Sequence, residues 1–310
     1  MNGIGVLLPI SCLPKGKFSD GYQFVDWLVK NKYDYWQVLP LSPRDEFGSP
    51  YDSPNSLAID PGYGAEDEWF ALKNYANKKK IKIIGDLPYF ITRTERDDLF
   101  IKGLFAGAPP DCFRKSGQRW GLPVYDWENK FAQNLKYLLK RIRRALALFD
   151  MVRLDHFRGY EAVWVYPGKI WLKVPGKRIL KKVREEFPKQ IFIAEDLGVI
   201  TSEVKNLRKK FNFLGSAVIQ FGENNNRDIV YYTSTHDTPT LKGFYGKESA
   251  IYLNKVLGSP AAIKIIPMWD ILKLGNSARF NKPGTKRDNW GWKVKSLQIV
   301  FDHSFSGVII

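Results

Sequence analysis

The stretch Phe149-Asp150-Met151-Val152-Arg153-Leu154-Asp155-His156-Phe157-Arg158-Gly159 closes the clearest periodic run in the chain. Before it, Phe131, Leu135, Leu138, Leu139, Ile142, Leu146 and Phe149 recur every three or four residues. That spacing predicts an amphipathic helix. It feeds Met151–Leu154, which reads as a short buried strand with an acid at its C-terminal end.

Outward from this unit the alternation repeats. Upstream, Ile4–Pro9, Tyr35–Pro40 and Ile81–Leu87 read as strands, with helices expected around Tyr22–Leu28 and Glu66–Asn77. A Gly/Pro/Ser-rich loop covers Ser42–Asp60, and another long loop follows Leu87. Downstream, Ile191–Ala194, Ala217–Gln220, Ile229–Thr233 and Ala262–Ile266 read as strands, with a helix from about Ser202 to Phe211. Continuous apolar strands indicate a parallel sheet buried on both faces. Eight of them, mostly separated by helices, predict an α/β fold: a (β/α)₈ TIM barrel with long βα loops and reduced insertions. No composition break or internal repeat divides the chain, so residues 1–310 are expected to form a single catalytic barrel domain; such barrels commonly run about 250 residues as one unit.

Composition narrows the function classes. Hydrophobic content of 44% and charged content of 26% are those of an ordinary soluble globular protein. Aromatics are plentiful, with 10 Trp, 15 Tyr and 20 Phe, which suit either a ring-rich core or platforms for sugar faces. Lys+Arg minus Asp+Glu is 48 − 32 = +16. The cations are spread along expected helices, as at Lys78-Lys79-Lys80 and Lys140-Arg141, so a solvated surface is the reading. No RNP, helix-turn-helix or zinc-finger pattern accompanies them, and no nucleic-acid partner is expected. The two cysteines, Cys12 and Cys112, form no CxxC pair and fit a reducing cytoplasm. Ile4–Pro9 lacks a basic n-region and cleavage site, and no run approaches the roughly 20 apolar residues of a membrane span. No membrane partner, cofactor or metal is expected: GxGxxG and HExxH are absent, and the His and Cys residues lack zinc-site spacing. The sequence leaves the oligomeric state unspecified.

Reactive groups of a βα barrel project from the C-terminal ends of its strands. Asp155 follows Met151–Leu154, Glu195 follows Ile191–Ala194, and Asp237 follows Ile229–Ser234. Helix capping explains many single strand-end acids; three from different strands converge in space. Two of the three histidines flank them, His156 and His236. Arg153 shares a strand face with Asp155 and is placed to hold it ionised, as a nucleophile requires. One ionised and one protonated carboxyl are the equipment of glycoside cleavage. Neighbouring strands about 4.8 Å apart suit the roughly 5–5.5 Å carboxyl separation of a retaining mechanism.

At this point a resemblance is visible. Val152–Gly159, Ala194-Glu195-Asp196-Leu197-Gly198 and Thr235-His236-Asp237 are similar to motifs of the 4-α-glucanotransferases of glycoside hydrolase family 77. So are Tyr35–Leu41, Gly48-Ser49-Pro50-Tyr51, Ile84-Gly85-Asp86-Leu87-Pro88, Pro109-Pro110-Asp111, Gly117-Gln118-Arg119-Trp120-Gly121, and Ser277-Ala278-Arg279 through Asn289-Trp290, in the family's order. The resemblance implies Asp155 as nucleophile, Glu195 as general acid/base, and Asp237, with His236 and Arg153, holding the sugar in its distorted transition state. It implies that Tyr51 and Trp120 line sugar subsites and that Asp111 lies on a loop over the cleft. The implied activity passes α-1,4-glucan segments between maltodextrins through a covalent glucosyl-aspartate, without a cofactor. The substrates would be maltodextrins derived from starch or glycogen.

This chain departs from the family in being shorter, with the large helical insertion after Ser-Pro-Tyr missing. Asp52 stands where the family usually carries Gln, and Cys112 where an aromatic is expected. Loss of cleft walls exposes a glucosyl intermediate to water, so an α-glucan hydrolase of the α-amylase type and a weakly active glucan-binding remnant are the rival readings. Trp290 and Trp292 read as core residues or sugar platforms, with core favoured.

Overall fold

The computed structural model describes residues 3–110 and 116–295. In chain order its elements are β1 (Gly3–Leu7), α1 (Phe18–Lys30), β2 (Tyr35–Gln37), α2 (Glu66–Lys78), β3 (Lys82–Leu87), β4 (Phe100–Ala108), β5 (Gln118–Tyr125), α3 (Phe131–Leu148) and β6 (Met151–Leu154). There follow β7 (Ala162–Tyr166), β8 (Ile170–Lys173), α4 (Gly176–Glu186), β9 (Phe192–Ala194), α5 (Ser202–Lys210), β10 (Gly215–Val218), β11 (Ile229–Tyr232), α6 (Leu241–Tyr245), α7 (Ser249–Leu257), β12 (Ile263–Pro267) and α8 (Met268–Ile271).

Eight parallel strands form one sheet in the order β10-β11-β12-β1-β2-β3-β6-β9. Its two ends meet through Leu214, whose N–H donates to the Phe192 carbonyl at 3.0 Å and whose carbonyl accepts from Ala194 N–H at 2.7 Å. The ring is thereby closed as a (β/α)₈ barrel, and all eight strand expectations fall on barrel strands, with ends displaced by a few residues. Register decides which side chains face inward: Asp86 pairs with Arg153 and Leu154 with Ala194. With a side-chain period of two, Asp86, Arg153 and Asp155 share the inner face.

The helices follow from their stripes. On α3, Asn134, Tyr137, Leu138, Arg141, Ile142, Ala145 and Leu148 are buried, a single face at helical spacing. Burying a side chain such as Ile142 contributes roughly 1.5–3 kcal/mol. The Phe149 ring, at the end of this helix, presses on β3 at Gly85, where an added Cβ would lie 2.0 Å from it. Only glycine admits that approach.

Two findings depart from the sequence expectations. The long loop after β3 contains β4 and β5, which join β7 and β8 in an antiparallel sheet of order β5-β4-β7-β8. Secondly, two of the cations assigned to a solvated surface are interior: Arg141 is 1% exposed and Arg208 8%. Among the rings, Trp27, Trp36, Trp69 and Trp269 are core, whereas Trp120, Trp290 and Trp292 are partly buried and pack against it. Among the described residues no helix is long and apolar enough to cross a membrane.

Candidate active site

The C-terminal ends of β3, β6, β9 and β11 carry the polar cluster. Asp155 N–H donates to the Leu87 carbonyl at 3.1 Å, and Glu195 N–H to the Leu154 carbonyl at 3.0 Å. These bonds extend the ladder one residue beyond β6 and β9, so Asp155 and Glu195 stand on adjacent strands, about 4.8 Å apart at the backbone. His156 then turns the chain in the left-handed region, φ 46°. That turn aims its N–H at Glu195 Oε2, 3.0 Å away.

Arg153 is the hub. Its Nη1 donates to Asp86 Oδ2 at 2.5 Å and to Asp155 Oδ1 at 3.1 Å. Burial works against its charge, but Asp86 and Asp155 outweigh it and hold the guanidinium well above its ordinary value. Tyr51 O–H donates to the same Asp86 Oδ2 at 2.9 Å, which leaves the phenol oxygen to accept from His236 Nε2 at 3.0 Å. His236 Nε2 also lies 3.2 Å from Asp237 Oδ2, and its ring stacks on Tyr51 with centroids 5.4 Å apart. Asn281 Nδ2 donates to Asp237 Oδ1 at 2.6 Å, and Arg279 holds the Asp237 carbonyl at 2.8 Å.

The electrostatics separate the acids. Burial pushes the Glu195 carboxyl well above its ordinary range; Arg153 opposes this, and the negative charges of Asp155, Asp237 and Asp196 add to it. For Asp237 burial also raises the value, yet His236, Asn281 and Arg153 together win and bring it down to about 2. Asp86 is raised to about 6, chiefly by burial, and its Oδ1 has no partner within the protein. His156 is lowered to about 4 by burial, and its Nε2 likewise lacks a partner. Both are buried polar atoms whose hydrogen-bonding capacity the protein leaves unmet.

Rings wall this cluster. Trp120, carried in by β5, meets His156 edge-on at 5.0 Å and Phe90 at 5.9 Å. On the opposite side Trp290 lies 5.9 Å from Tyr51 and 6.3 Å from His236. The structure thus brings together Tyr51, Trp120, Arg153, Asp155, Glu195, His236 and Asp237 of the sequence-expected set. Asp111, on the expected loop over the cleft, lies outside the described residues. Sequence reading left Asp86 without a role, although it too is an acid near a strand end. It gave Asn281 no role either, since nothing local marks an asparagine in a loop 44 positions beyond Asp237. Among the described residues no group of three or more His, Cys, Asp or Glu side chains is arranged to hold a metal ion.

A family model described as 4-alpha-glucanotransferase matches residues 9–67 and 62–298. The chain belongs to the 4-alpha-glucanotransferase family. Among curated members, the 4-alpha-glucanotransferase of Aquifex aeolicus is 41% identical over 74% of this chain and 57% of its own length. That of Clostridium butyricum is 36% identical over the same shares. This chain therefore spans less than three fifths of these 4-alpha-glucanotransferases. Among solved structures, an amylomaltase from Streptococcus agalactiae in complex with acarbose superposes with a TM-score of 0.88 at 20% identity, covering 98% of this chain and 97% of that one. At that identity the likeness speaks for the fold, and it is the same barrel.

Proposed function

We propose that this chain cleaves α-1,4-glucans and passes the released segment to the 4-hydroxyl of another sugar, by retaining double displacement. Asp155 is the nucleophile: its oxygen attacks the anomeric carbon as the glycosidic bond breaks. Glu195 gives its proton to the departing oxygen, then removes one from the incoming hydroxyl. Asp237 and His236 hold sugar hydroxyls, and Asp86 anchors Arg153 and Tyr51 beneath them. Trp120 and Tyr51 stack on sugar faces, with Asp111 assigned to the loop over the cleft.

The observation that supports this best is the pairing of Asp155 and Glu195 on neighbouring strands. One is bonded to a buried arginine; the other is pushed by burial toward its protonated form. Maltodextrins are the substrates, residues 1–310 act as one catalytic domain, cysteine usage supports a cytoplasmic setting, and the spread of cations along helices supports no nucleic-acid partner. No cofactor enters the reaction.

Incubation of the purified chain with maltotriose is the test. A ladder of longer oligomers is expected. Glucose and maltose alone would instead make it a hydrolase, the reading favoured if the reduced length leaves the intermediate open to water.

A further inference from the structure

Glu195 stands at the thinnest junction of the barrel. Strands β10 and β11 pair over four positions, whereas β9 meets its other neighbour only through the isolated bridge Ile193–Leu214. Beyond Ala194 no ladder bond on that side fixes the peptide carrying Glu195. The next residue supplies one. Asp196 Oδ1 accepts from Ser216 N–H at 2.7 Å, and Ser216 Oγ donates back to the Ala194 carbonyl at 2.9 Å.

Asp196 Oδ2 lies 3.0 Å from Arg208 Nε on α5, with only 9% and 10% of the two side chains exposed. Arg208 Nη1 in turn donates to the Phe213 and Asp228 carbonyls, each at 3.1 Å, which lead into β10 and β11. Its guanidinium lies against Gly215, where a Cβ would meet Cζ at 2.9 Å. Residue 215 must lack a side chain for the arginine to cross there. A nearly dry ion pair of this kind gains little net stability over apolar packing, so its geometry is the better reason for it.

We propose that Asp196 is a positioning residue for Glu195: it stands in for the missing β9–β10 ladder and fixes the peptide from which the Glu195 carboxyl reaches the cleft. The inference rests on the reading of Glu195 as acid/base. The charges around Glu195 are Arg153 in β6, Asp155 just beyond it, Asp237 beyond β11 and Asp196 itself, with the Tyr232 phenol on β11. Those around Asp196 are Arg208 and Lys205 on α5.

Two donors separate a positioning role from a general structural one. An oligosaccharide leaving group departs as an alcohol and needs the Glu195 proton. α-Maltosyl fluoride loses fluoride with its electron pair as the Asp155 oxygen bonds to the anomeric carbon, and needs little acid assistance. In Asp196→Ala, kcat/KM for maltotetraose cleavage is expected to fall about 10- to 100-fold, and that for fluoride release less than about three-fold. Asp196→Asn keeps one acceptor oxygen and serves if the alanine variant does not fold; the same donor selectivity is expected with a smaller loss. Equal losses on both donors, or no loss in either variant, would overturn the role of Asp196 alone. A wild-type chain inert toward both donors would remove the activity itself and the role of Asp196 with it, a different result from equal losses in an active enzyme.

Discussion

Neighbouring carboxyls in one cleft are driven in opposite directions by what surrounds them. Asp237 is met by His236 and Asn281, which bring its carboxyl down to about 2, whereas Glu195 is half-buried beside like charges and holds its proton above the ordinary carboxylate range. In the proposed mechanism the proton on Glu195 is needed when the leaving oxygen departs. The kcat/KM for maltotriose is therefore expected to fall as pH rises through that elevated value, and Glu195→Gln should lose this basic limb together with most of its rate. A basic limb unchanged in Glu195→Gln would assign the titration to another group. Asp155→Ala tests the proposed nucleophile: turnover of maltotriose should drop about 10³-fold or more. Retardation on amylopectin-containing native gels should persist, because the rings and Asp237 remain. At this scale the sequence was readable wherever an acid directly ended an apolar run, as at Leu154-Asp155 and Ala194-Glu195. It was silent where a partner arrives from a distant loop, as Asn281 does at Asp237.

Strands buried on both faces leave uninterrupted apolar runs, which is why the barrel staves could be read from the sequence. The antiparallel sheet leaves no such trace. Its β4–β5 pairing shifts register between Phe100 and Phe105 and again before Gly107, and such bulges break the two-residue alternation that marks a strand. Yet this sheet delivers Trp120 to the cleft. The link between α3 and the site loops was equally hidden, because Arg141 sits in a run of surface-like cations. Arg141 Nη2 donates to the Pro88 carbonyl at 2.7 Å, Nη1 to that of Tyr89 at 3.3 Å, and Nε to Ser56 Oγ at 2.9 Å. Ser56 and Tyr137 converge in turn on Glu95. Arg141→Met keeps the length of the stem but strands two buried carbonyls after β3. Urea unfolding should show a loss of about 2–4 kcal/mol, whereas Arg143→Met, whose side chain is 64% exposed, should change stability by less than about 0.5 kcal/mol. Equal effects would mean that Arg141 contributes only as an exposed cation does.

Taken whole, the molecule carries a net charge of +16, and only a few of its cations are interior. Arg141, Arg153 and Arg208 are held by carbonyls or paired with carboxylates inside the fold, so the excess is borne by the surface. Two opposing terms then depend on salt. Exposed pairs such as Arg96–Asp98 and Lys182–Glu185 are weakened by screening, but each is worth only about 0–1 kcal/mol. Repulsion among the unpaired cations acts over the whole surface and is relieved by the same screening, whose length falls to about 10 Å at 0.1 M. With cations outnumbering acids 48 to 32, repulsion should win. The melting temperature at neutral pH is expected to rise by about 2 °C or more between about 20 mM and 200 mM sodium chloride. A fall over the same range would show that the surface is organised as ion-pair networks, with their attraction exceeding the net repulsion. Urea unfolding of Arg141→Met provides the internal control: its destabilisation relative to wild type should change little between the two salt concentrations, since the bonds it removes, to two carbonyls and the Ser56 hydroxyl, lie inside the fold where screening is weak.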